Sequence, residues 1–198
     1  MKEKIKTIIP MFAVIAVVVY LIACLISPAK SASDIWSYIG YAISADTLIF
    51  SLYSLWLWRI NPFEKIPKLR KEYKGKLISN YDNKERDIKI SVYQNLFETK
   101  IIFESGESSS KSITANFYEE YGTKMLSFGY INNPKAIYKD RSPMHYGMCI
   151  LEIKNKDHLE GQYFTDRCTR GDIILKSGKC KKLLEKEFVT KKWLDWRN

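Results

Sequence analysis

The chain has 198 residues and a formal net charge of +10, a length that suits one soluble domain beside a membrane anchor. Residues 59–198 hold 28 of the 32 basic and 19 of the 22 acidic side chains, a formal charge of +9, which favours an anionic partner. Cys24, Cys149, Cys168 and Cys180 form no CxxC pair, and with two histidines they match no zinc spacing. We therefore expect free thiols, no disulfide and no metal site.

The first predicted element is a membrane-spanning helix from Ile8 to Ile26. This stretch, IIPMFAVIAVVVYLIACLI, contains no charged residue and has about the length that a helix needs to cross a bilayer. Because Lys2, Lys4 and Lys6 precede it, as basic residues precede the core of a signal peptide, cleavage after the SPAKSA stretch is the alternative.

A second spanning helix is predicted from Ile35 to Trp58, with tryptophan and tyrosine near both ends, as at membrane interfaces. Basic residues lie before the first helix and again after the second, from Arg59 to Lys71, whereas the connecting loop is nearly neutral. By the positive-inside rule the two helices form a hairpin with both chain termini in the cytoplasm.

Small and polar residues recur every three or four positions along the second helix. We call this set the small-residue seam: Ser37, Gly40, Ser44, Thr47, Ser51 and Ser54. In lipid, helices associate through close backbone approach at small residues and through hydrogen bonds. The seam is expected to pack either against the first helix or between subunits of an oligomer.

Asp46 lies near the middle of the second predicted span. An ionised carboxylate at that depth is costly, so the side chain is expected to face protein or water, either as a structural residue or in a contact that forms on assembly. The predicted membrane-assembly residues are therefore Gly40, Ser44, Asp46 and Thr47.

The rest of the chain is predicted to be all-β. Eight segments with strand composition are separated by turn residues: 73–80, 87–95, 100–104, 110–118, 124–132, 145–153, 158–166 and 170–177. Sequential strands with short links favour a minimal eight-stranded antiparallel, lipocalin-like barrel over the competing sandwich. The predicted organisation is a hairpin at 1–60, a linker at 61–72, a ligand-binding barrel at 73–180 and a basic C-terminal tail at 181–198.

Alternation within the strands indicates which side chains face inward. One register in the last two strands runs through Gly161, Tyr163, Thr165, Arg167, Thr169 and Gly171. A second set belongs to the fifth and sixth strands: Leu126, Phe128, Tyr130 and Asn132, then His145, Gly147, Cys149 and Leu151. The polar members are expected around one mouth of the barrel, above an apolar floor of Leu126, Phe128 and Leu151. The alternative is that the seventh strand ends at Asp166 and leaves Arg167 in a solvated turn.

Four stretches, YKGKLIS, FGYINNP, HYGMCILEI and LEGQYFTDRCTRG, together with the hairpin before them, resemble a known family. This family comprises the two-transmembrane β-barrel effectors of bacterial CBASS anti-phage systems, whose barrel is a receptor for a cyclic oligonucleotide. The resemblance covers essentially the whole chain.

The resemblance implies that a partner nucleotidyltransferase (CD-NTase) makes a cyclic dinucleotide during infection. The ligand binds the barrel, the protein oligomerises, and it disrupts the bacterial inner membrane in an abortive infection. The expected ligand-binding residues are Tyr130, Asn132, His145, Tyr163, Thr165, Arg167 and Thr169. Arg167 suits a phosphate, the tyrosines suit base stacking, and Asn132 and the threonines suit base edges or phosphate oxygens.

Other functions remain open at this point. No P-loop, paired carboxylates or nucleophile motif indicates an enzyme, and no cofactor besides the activating cyclic dinucleotide is expected. The main alternative is a membrane-tethered lipocalin-like binder of a lipid or other small hydrophobic ligand, which predicts an apolar cavity. A barrel that binds a nucleic-acid polymer would instead place aromatic and basic residues on its outer face, and we expect no such partner.

Overall fold

A computed structural model describes residues 2–140 and 142–178. They form two compact units, one comprising the chain through Glu64 together with Asn95–Phe97, and the other beginning at Lys65 and containing a β-barrel. The predicted C-terminal tail at 181–198 and Cys180 lie outside the described residues. Cys24, Cys149 and Cys168 are free cysteines.

The first unit is built around two helices, α1 (Lys2–Ile26) and α2 (Ala32–Leu55). Ser31 caps α2, because its hydroxyl accepts from the Asp34 amide and the Asp34 carboxylate accepts from the Ser31 amide in return. The helices pack through Phe12 of α1, whose ring meets Phe50 edge-on with centroids 5.1 Å apart and Tyr53 at 6.0 Å. These contacts make the two helices a packed pair.

One helix in the described part of the chain is long and apolar enough to cross a membrane. It is the Ile9–Ile26 segment of α1, with a mean hydropathy of 2.9. α2 is long enough but not apolar enough to count as a candidate membrane span, because the small-residue seam and Asp46 lower its mean hydropathy. A second span, and with it the multi-pass topology and the orientation of the termini, therefore stays a prediction.

The small-residue seam faces away from α1. Gly40 has no atom within 4 Å of the position that a Cβ would take, and Ser44 and Thr47 are exposed. The side of α2 that packs on α1 instead includes Ala42 and Tyr53, which are buried. The alternative in which the seam packs against α1 is wrong, since residues three and four apart share one helix face and the seam follows the opposite one.

Asp46 belongs to the α1-facing side of α2, with Ala42 and Tyr53, and not to the seam. Its Oδ1 atom is buried and has no hydrogen-bond partner among the described residues. Of the two environments expected for Asp46, protein and water, the structure shows protein, and a role of Asp46 in membrane assembly with Gly40, Ser44 and Thr47 stays a prediction.

The second unit is a closed barrel of eight antiparallel strands in sequence order. The strands are β1 (Glu72–Ser79), β2 (Glu85–Gln94), β3 (Thr99–Ser105), β4 (Ser108–Glu120), β5 (Thr123–Pro134), β6 (His145–Asn155), β7 (His158–Thr165) and β8 (Arg170–Ser177). β1 closes the barrel by pairing with β8 from Tyr73↔Ser177 to Ser79↔Gly171. The predicted fold class and all eight predicted strands are confirmed, with ends that differ by at most a few residues.

Alternation of apolar and polar residues builds the core of the barrel. β5 shows it most clearly, because Leu126, Phe128 and Tyr130 are buried while the residues between them are partly exposed. Leu126, Phe128 and Leu151, predicted as an apolar floor, all belong to the core. The interior is therefore filled with side chains over most of its length, as expected for eight strands.

Asp157, in the turn between β6 and β7, joins three segments at the end of the barrel where β1 begins. Its carboxylate accepts two hydrogen bonds from the Arg70 guanidinium, at 2.7 and 3.2 Å, and one from the Ser177 hydroxyl at 2.5 Å. These partners, Arg70 foremost, lower the pKa of Asp157 to about 2. The linker before β1 and the end of β8 are thus both held by one turn.

Replacing Asp157 by asparagine should destabilise the barrel in a pH-dependent way. The folded-state pKa of Asp157 is about 2 and an unfolded aspartate titrates near ~4, so the stabilisation is complete above ~4 and is lost as the pH falls through about 2. Melting temperatures of the detergent-solubilised full chain, measured from pH 7 to pH 2, should show a gap between parent and variant that closes with acid.

The gap should be small, because the side chains of Arg70 and Asp157 are 45% and 48% exposed. Asp87→Asn is a matched control, since Asp87 is 88% exposed and within the described residues forms one ion pair, with Lys76. A gap between Asp157→Asn and the parent that stays constant down to pH 2 would contradict the prediction.

Candidate functional site

A cavity of about 220 Å³ opens at one end of the barrel, which we call the barrel-end cavity. The connections from β1 to β2, β3 to β4, β5 to β6 and β7 to β8 surround it, and β1 begins at the opposite end. All seven predicted ligand-binding residues line this cavity: Tyr130, Asn132, His145, Tyr163, Thr165, Arg167 and Thr169. The structure therefore brings them together, while ligand binding by each of them stays a prediction.

Tyr130 forms the floor of the cavity. Its ring meets Phe103 edge-on, with centroids 5.7 Å apart, and lies 6.1 Å from Phe128. Gly147, its partner on β6, makes this position possible, because a Cβ there would collide with the Tyr130 ring. Burial raises the pKa of the Tyr130 phenol, which is only 3% exposed, so the group stays a neutral hydrogen-bonding hydroxyl.

Tyr163 repeats the arrangement on the neighbouring wall. It is paired with Gly171 on β8, and a Cβ at Gly171 would meet the Ile78 carbonyl and the edge of the Tyr163 ring. Burial raises the pKa of the Tyr163 phenol, although a hydrogen bond with Ser79 opposes the effect. Two aromatic rings thus line the cavity, and each lies opposite a glycine on the next strand.

Arg167 lies in a turn and not in a strand. β7 ends at Thr165, and the Thr165 amide donates to the Thr169 carbonyl at 2.9 Å to close the turn. The two threonine hydroxyls are 2.7 Å apart, and Cys168 between them has a positive φ of 59°. The prediction of one continuous register from Gly161 to Gly171 is wrong, and the turn alternative is correct.

The turn holds the Arg167 guanidinium at the mouth. Arg167 is exposed and donates to the Ser142 hydroxyl, in the long connection between β5 and β6, at 3.1 Å. Within the described residues it has no carboxylate at salt-bridge distance. Its charge is therefore available to an anion that enters the cavity.

Asn132 and His145 are direct neighbours across β5 and β6. Asn132 is buried, and its Oδ1 accepts from the Ser110 hydroxyl at 2.8 Å. The His145 ring is partly exposed, and its Nδ1 lies 3.0 Å from the Pro143 carbonyl. The mouth therefore combines a fixed amide with an imidazole at its rim.

Arg86 is a second cation in the cavity that the sequence did not reveal. Its two terminal nitrogens donate to the two carboxylate oxygens of Asp82, at 2.9 and 2.7 Å. This pair raises the pKa of Arg86 and lowers that of Asp82. A guanidinium has five donor hydrogens, so Arg86 keeps three after pairing with Asp82.

No group of three or more His, Cys, Asp or Glu side chains within residues 2–140 and 142–178 is arranged to hold a metal ion. The barrel-end cavity instead has the chemistry of an anion and ring-system site: two guanidinium groups, two tyrosines, and hydroxyl and amide groups. Arg–phosphate and aromatic–base contacts are the usual means of binding nucleotides.

The family model described as Cap15, cyclic dinucleotide receptor domain, matches residues 64–177, which include every strand of the barrel. The chain belongs to this family. CD-NTase-associated protein 15 of Staphylococcus schleiferi is 28% identical over 180 residues, covering 89% of this chain and 98% of that relative. The alignment is longer than the receptor domain, so the similarity extends beyond the barrel, and the predicted resemblance to the CBASS effectors is confirmed.

In this Cap15-family barrel the described cavity is the candidate ligand site. Its floor is aromatic, its walls carry hydroxyl and amide groups, and its mouth carries Arg86 and Arg167. A cyclic dinucleotide has planar bases and two phosphates, which match these two zones. The family is one of receptors, so the chemistry to explain is binding.

Gly147→Ala should destabilise the Cap15-family barrel by ~1–3 kcal/mol, because the added methyl group forces the Tyr130 ring out of its position. Denaturant unfolding of the full chain in detergent measures this cost. In a Tyr130→Leu background the same substitution should cost much less, since the colliding ring atoms are gone.

Gly129→Ala serves as the matched control for this pair. Gly129 is a neighbour on β5, and a Cβ there would meet only the Thr114 hydroxyl at 3.4 Å, an ordinary contact. Equal costs for Gly147→Ala with and without the Tyr130 ring would show that the collision does not determine the effect.

Proposed function

We propose that this protein is a CBASS effector whose barrel binds a cyclic dinucleotide made by a cognate CD-NTase during phage infection. Binding leads to oligomerisation and to disruption of the bacterial inner membrane, which aborts the infection. One observation supports this choice of ligand: the barrel-end cavity of a cyclic dinucleotide receptor domain has two arginines at its mouth and two tyrosines within.

The proposed contacts follow the zones of the cavity. Arg167, which has no carboxylate at salt-bridge distance in the described chain, binds one phosphate with its fork of donors, and Arg86 uses its remaining donors for the other. Tyr130 and Tyr163 contact the bases, and Asn132, His145, Thr165 and Thr169 bind base edges or phosphate oxygens. These contacts bind the bases and phosphates of the ligand, and binding alone requires no catalytic residue.

The lipid-binder alternative fits the cavity poorly. An acyl chain needs an apolar lining, whereas this cavity is lined by Arg86, Asp82, Asn132 and several serine and threonine hydroxyls. An acyl chain would offer no hydrogen-bond partner to the donors that remain unpaired there, such as those of Arg86 and Arg167, and each donor cut off from water costs ~1–3 kcal/mol. The ligand that satisfies them is polar and anionic.

Arg167→Ala should weaken binding of the cognate cyclic dinucleotide by about 10- to 100-fold. This is the loss expected for a charge-assisted hydrogen bond to phosphate, ~1.5–3 kcal/mol. Isothermal titration of the full chain in detergent with a panel of cyclic dinucleotides measures it.

Arg170→Ala removes the same charge three residues away, at an exposed position that does not line the cavity. It should bind nearly as the parent does. Equal losses in the two variants would mean that only the overall charge matters, and a folded protein that binds no cyclic dinucleotide would overturn the proposed function.

The membrane part of the proposal has a multi-pass hairpin at 1–60, a linker at 61–72 and the ligand-binding barrel at 73–180, with both termini cytoplasmic and lipid around the helices. α2 supports a second span, because Tyr41, Ile43, Leu48 and Leu55 are each more than 60% exposed. Large apolar side chains at such exposure suit lipid better than water.

The small-residue seam is the proposed assembly surface. It lies opposite the α1 contact, and four of its hydroxyls donate to carbonyls of their own helix: Ser37 to Ser33, Thr47 to Ile43, Ser51 to Thr47 and Ser54 to Ser51. The seam therefore presents small side chains whose hydroxyls are mostly paired, which permits a second α2 to approach closely in lipid. Asp46, on the α1 side of α2, lies outside the seam.

Gly40→Leu combined with Ser44→Leu should block assembly without loss of ligand. Both positions are open in the single chain, so the hairpin tolerates the larger side chains, but two α2 helices can no longer approach. Ligand-induced crosslinking in membranes and loss of membrane potential in cells should both fall to the level seen without ligand.

Ala13→Leu combined with Val17→Leu is the matched control, since both residues are exposed on α1 and also gain volume. It should assemble normally. If the Gly40 and Ser44 variant still crosslinked and depolarised cells on adding ligand, the seam would not be the assembly surface.

A further inference from the structure

Ser110 and Asn132 form a fixed polar pair inside the barrel-end cavity. They lie opposite each other on β4 and β5, face inward, and are 2% and 7% exposed. The Ser110 hydroxyl donates to Asn132 Oδ1 at 2.8 Å. The carboxamide therefore has its acceptor end occupied by a neighbouring strand.

Holding the oxygen leaves the nitrogen of Asn132 directed to the cavity. Asn132 lines the cavity, and its Nδ2 group has no hydrogen-bond partner among the described residues. An amide nitrogen is a donor only, and a ligand that displaces water from it without accepting its hydrogen bond loses affinity. The site thus demands an acceptor atom from whatever enters beside Asn132.

The residues that line the cavity also differ in solvent exposure between its floor and its mouth. Tyr130 and Phe103 close its floor and are almost fully buried, whereas the Arg86 side chain is 29% exposed and Arg167 is exposed at the mouth. Its volume of about 220 Å³ is below the ~300–1,000 Å³ typical of pockets that enclose a drug-sized ligand. We therefore expect room for one base inside, with the rest of a cyclic dinucleotide at the mouth.

We propose that the barrel reads the two nucleotides of its ligand unequally. One base enters the cavity, and its exocyclic oxygen accepts from Asn132 Nδ2, while Ser110 acts as a positioning residue that fixes the amide. The other base remains at the mouth, with the phosphates near the two arginines. The exocyclic oxygen of the deep base stands on C6 of a purine or C4 of a pyrimidine, as in guanine or uracil, where adenine and cytosine instead carry an amino group that would place donor against donor.

This inference rests on the proposed function and deepens it. Two matched series test it on the full chain in detergent: cyclic di-GMP, cyclic GMP–AMP and cyclic di-AMP, and the corresponding uracil and cytosine compounds. In the series that binds, the ligand with one keto base should bind within about twofold of the ligand with two. The ligand with two amino bases should bind at least about tenfold more weakly.

A two-step loss would overturn the inference, because a site that reads both bases alike places the mixed ligand midway on a logarithmic scale. A preference for amino bases would also overturn it. If no cyclic dinucleotide binds the folded protein, the proposed function itself fails, and the two failures are therefore distinguishable.

Two substitutions examine the pair directly through the ratio of keto to amino affinity. Ser110→Ala frees the amide to rotate and present its oxygen, so the ratio should fall towards one. Asn132→Asp replaces the donor by an acceptor, so the ratio should fall about tenfold or reverse. If Asn132→Asp does not fold, Ser110→Ala alone decides the role of the pair.

Ser109→Ala and Asn133→Asp are the controls, because these residues adjoin the pair on the same strands and Asn133 is exposed, outside the cavity. Both should keep the parental ratio, even where the added charge weakens every ligand. An unchanged ratio in Ser110→Ala and in a folded Asn132→Asp would overturn the role of the pair while leaving ligand binding intact.

Discussion

The interior of an eight-stranded barrel is only wide enough to be filled by side chains, and this constraint governs where a ligand can bind. Through the middle of this barrel the inward residues are large and apolar, such as Ile90, Leu151 and Leu175, and no accessible surface remains on them. The barrel-end cavity lies where the inward positions of the described strands become small. Gly147, Gly171 and the serines at one end supply that reduction.

The small residues do more than leave space, because they let larger neighbours take fixed positions. Tyr130 lies across Gly147 and Tyr163 across Gly171, so each ring is placed by a glycine on the next strand. The polar atoms around the rings are paired in the same cross-strand manner, as in the Ser110–Asn132 hydrogen bond. A site arranged before the ligand arrives loses little conformational freedom on binding.

The sequence predicts most of the barrel because alternation of buried and exposed residues is a local signal that short turns do not interrupt. It predicts Tyr130, Asn132 and Tyr163 at one mouth for the same reason. It places Arg167 wrongly in one continuous register from Gly161 to Gly171, because alternating residue types cannot separate a tight turn from an extended chain. Only the hydrogen bond that closes the turn distinguishes the two.

The residues that the sequence did not reveal depend on contacts between segments. The sequence does not indicate Arg86 as a site residue, because β2 begins at Glu85, two residues before its predicted start. Its partner Asp82 also lies in the preceding turn, outside any predicted strand. The sequence does not indicate Ser110 either, because its position opposite Asn132 depends on the register between β4 and β5, which local sequence patterns do not determine. The seam of α2 was recognised, but which side of α2 meets α1 depends on the packing of Phe12.

In the proposed function, the two arginines at the mouth meet the separate demands of folding and of ligand recognition. A cation that is partly withdrawn from water needs a partner, and Arg86, with 29% of its side chain exposed, has Asp82. Arg167 is exposed and meets only a hydroxyl in the described chain, so water compensates its charge until an anion replaces it. The outer arginine can therefore attract the ligand at little cost to folding, while the inner one, fixed by Asp82, offers its remaining donors in a set direction. In this proposal Arg167 attracts the anionic ligand at the rim by its charge, and the fixed donors of Arg86 select among ligands deeper in the cavity.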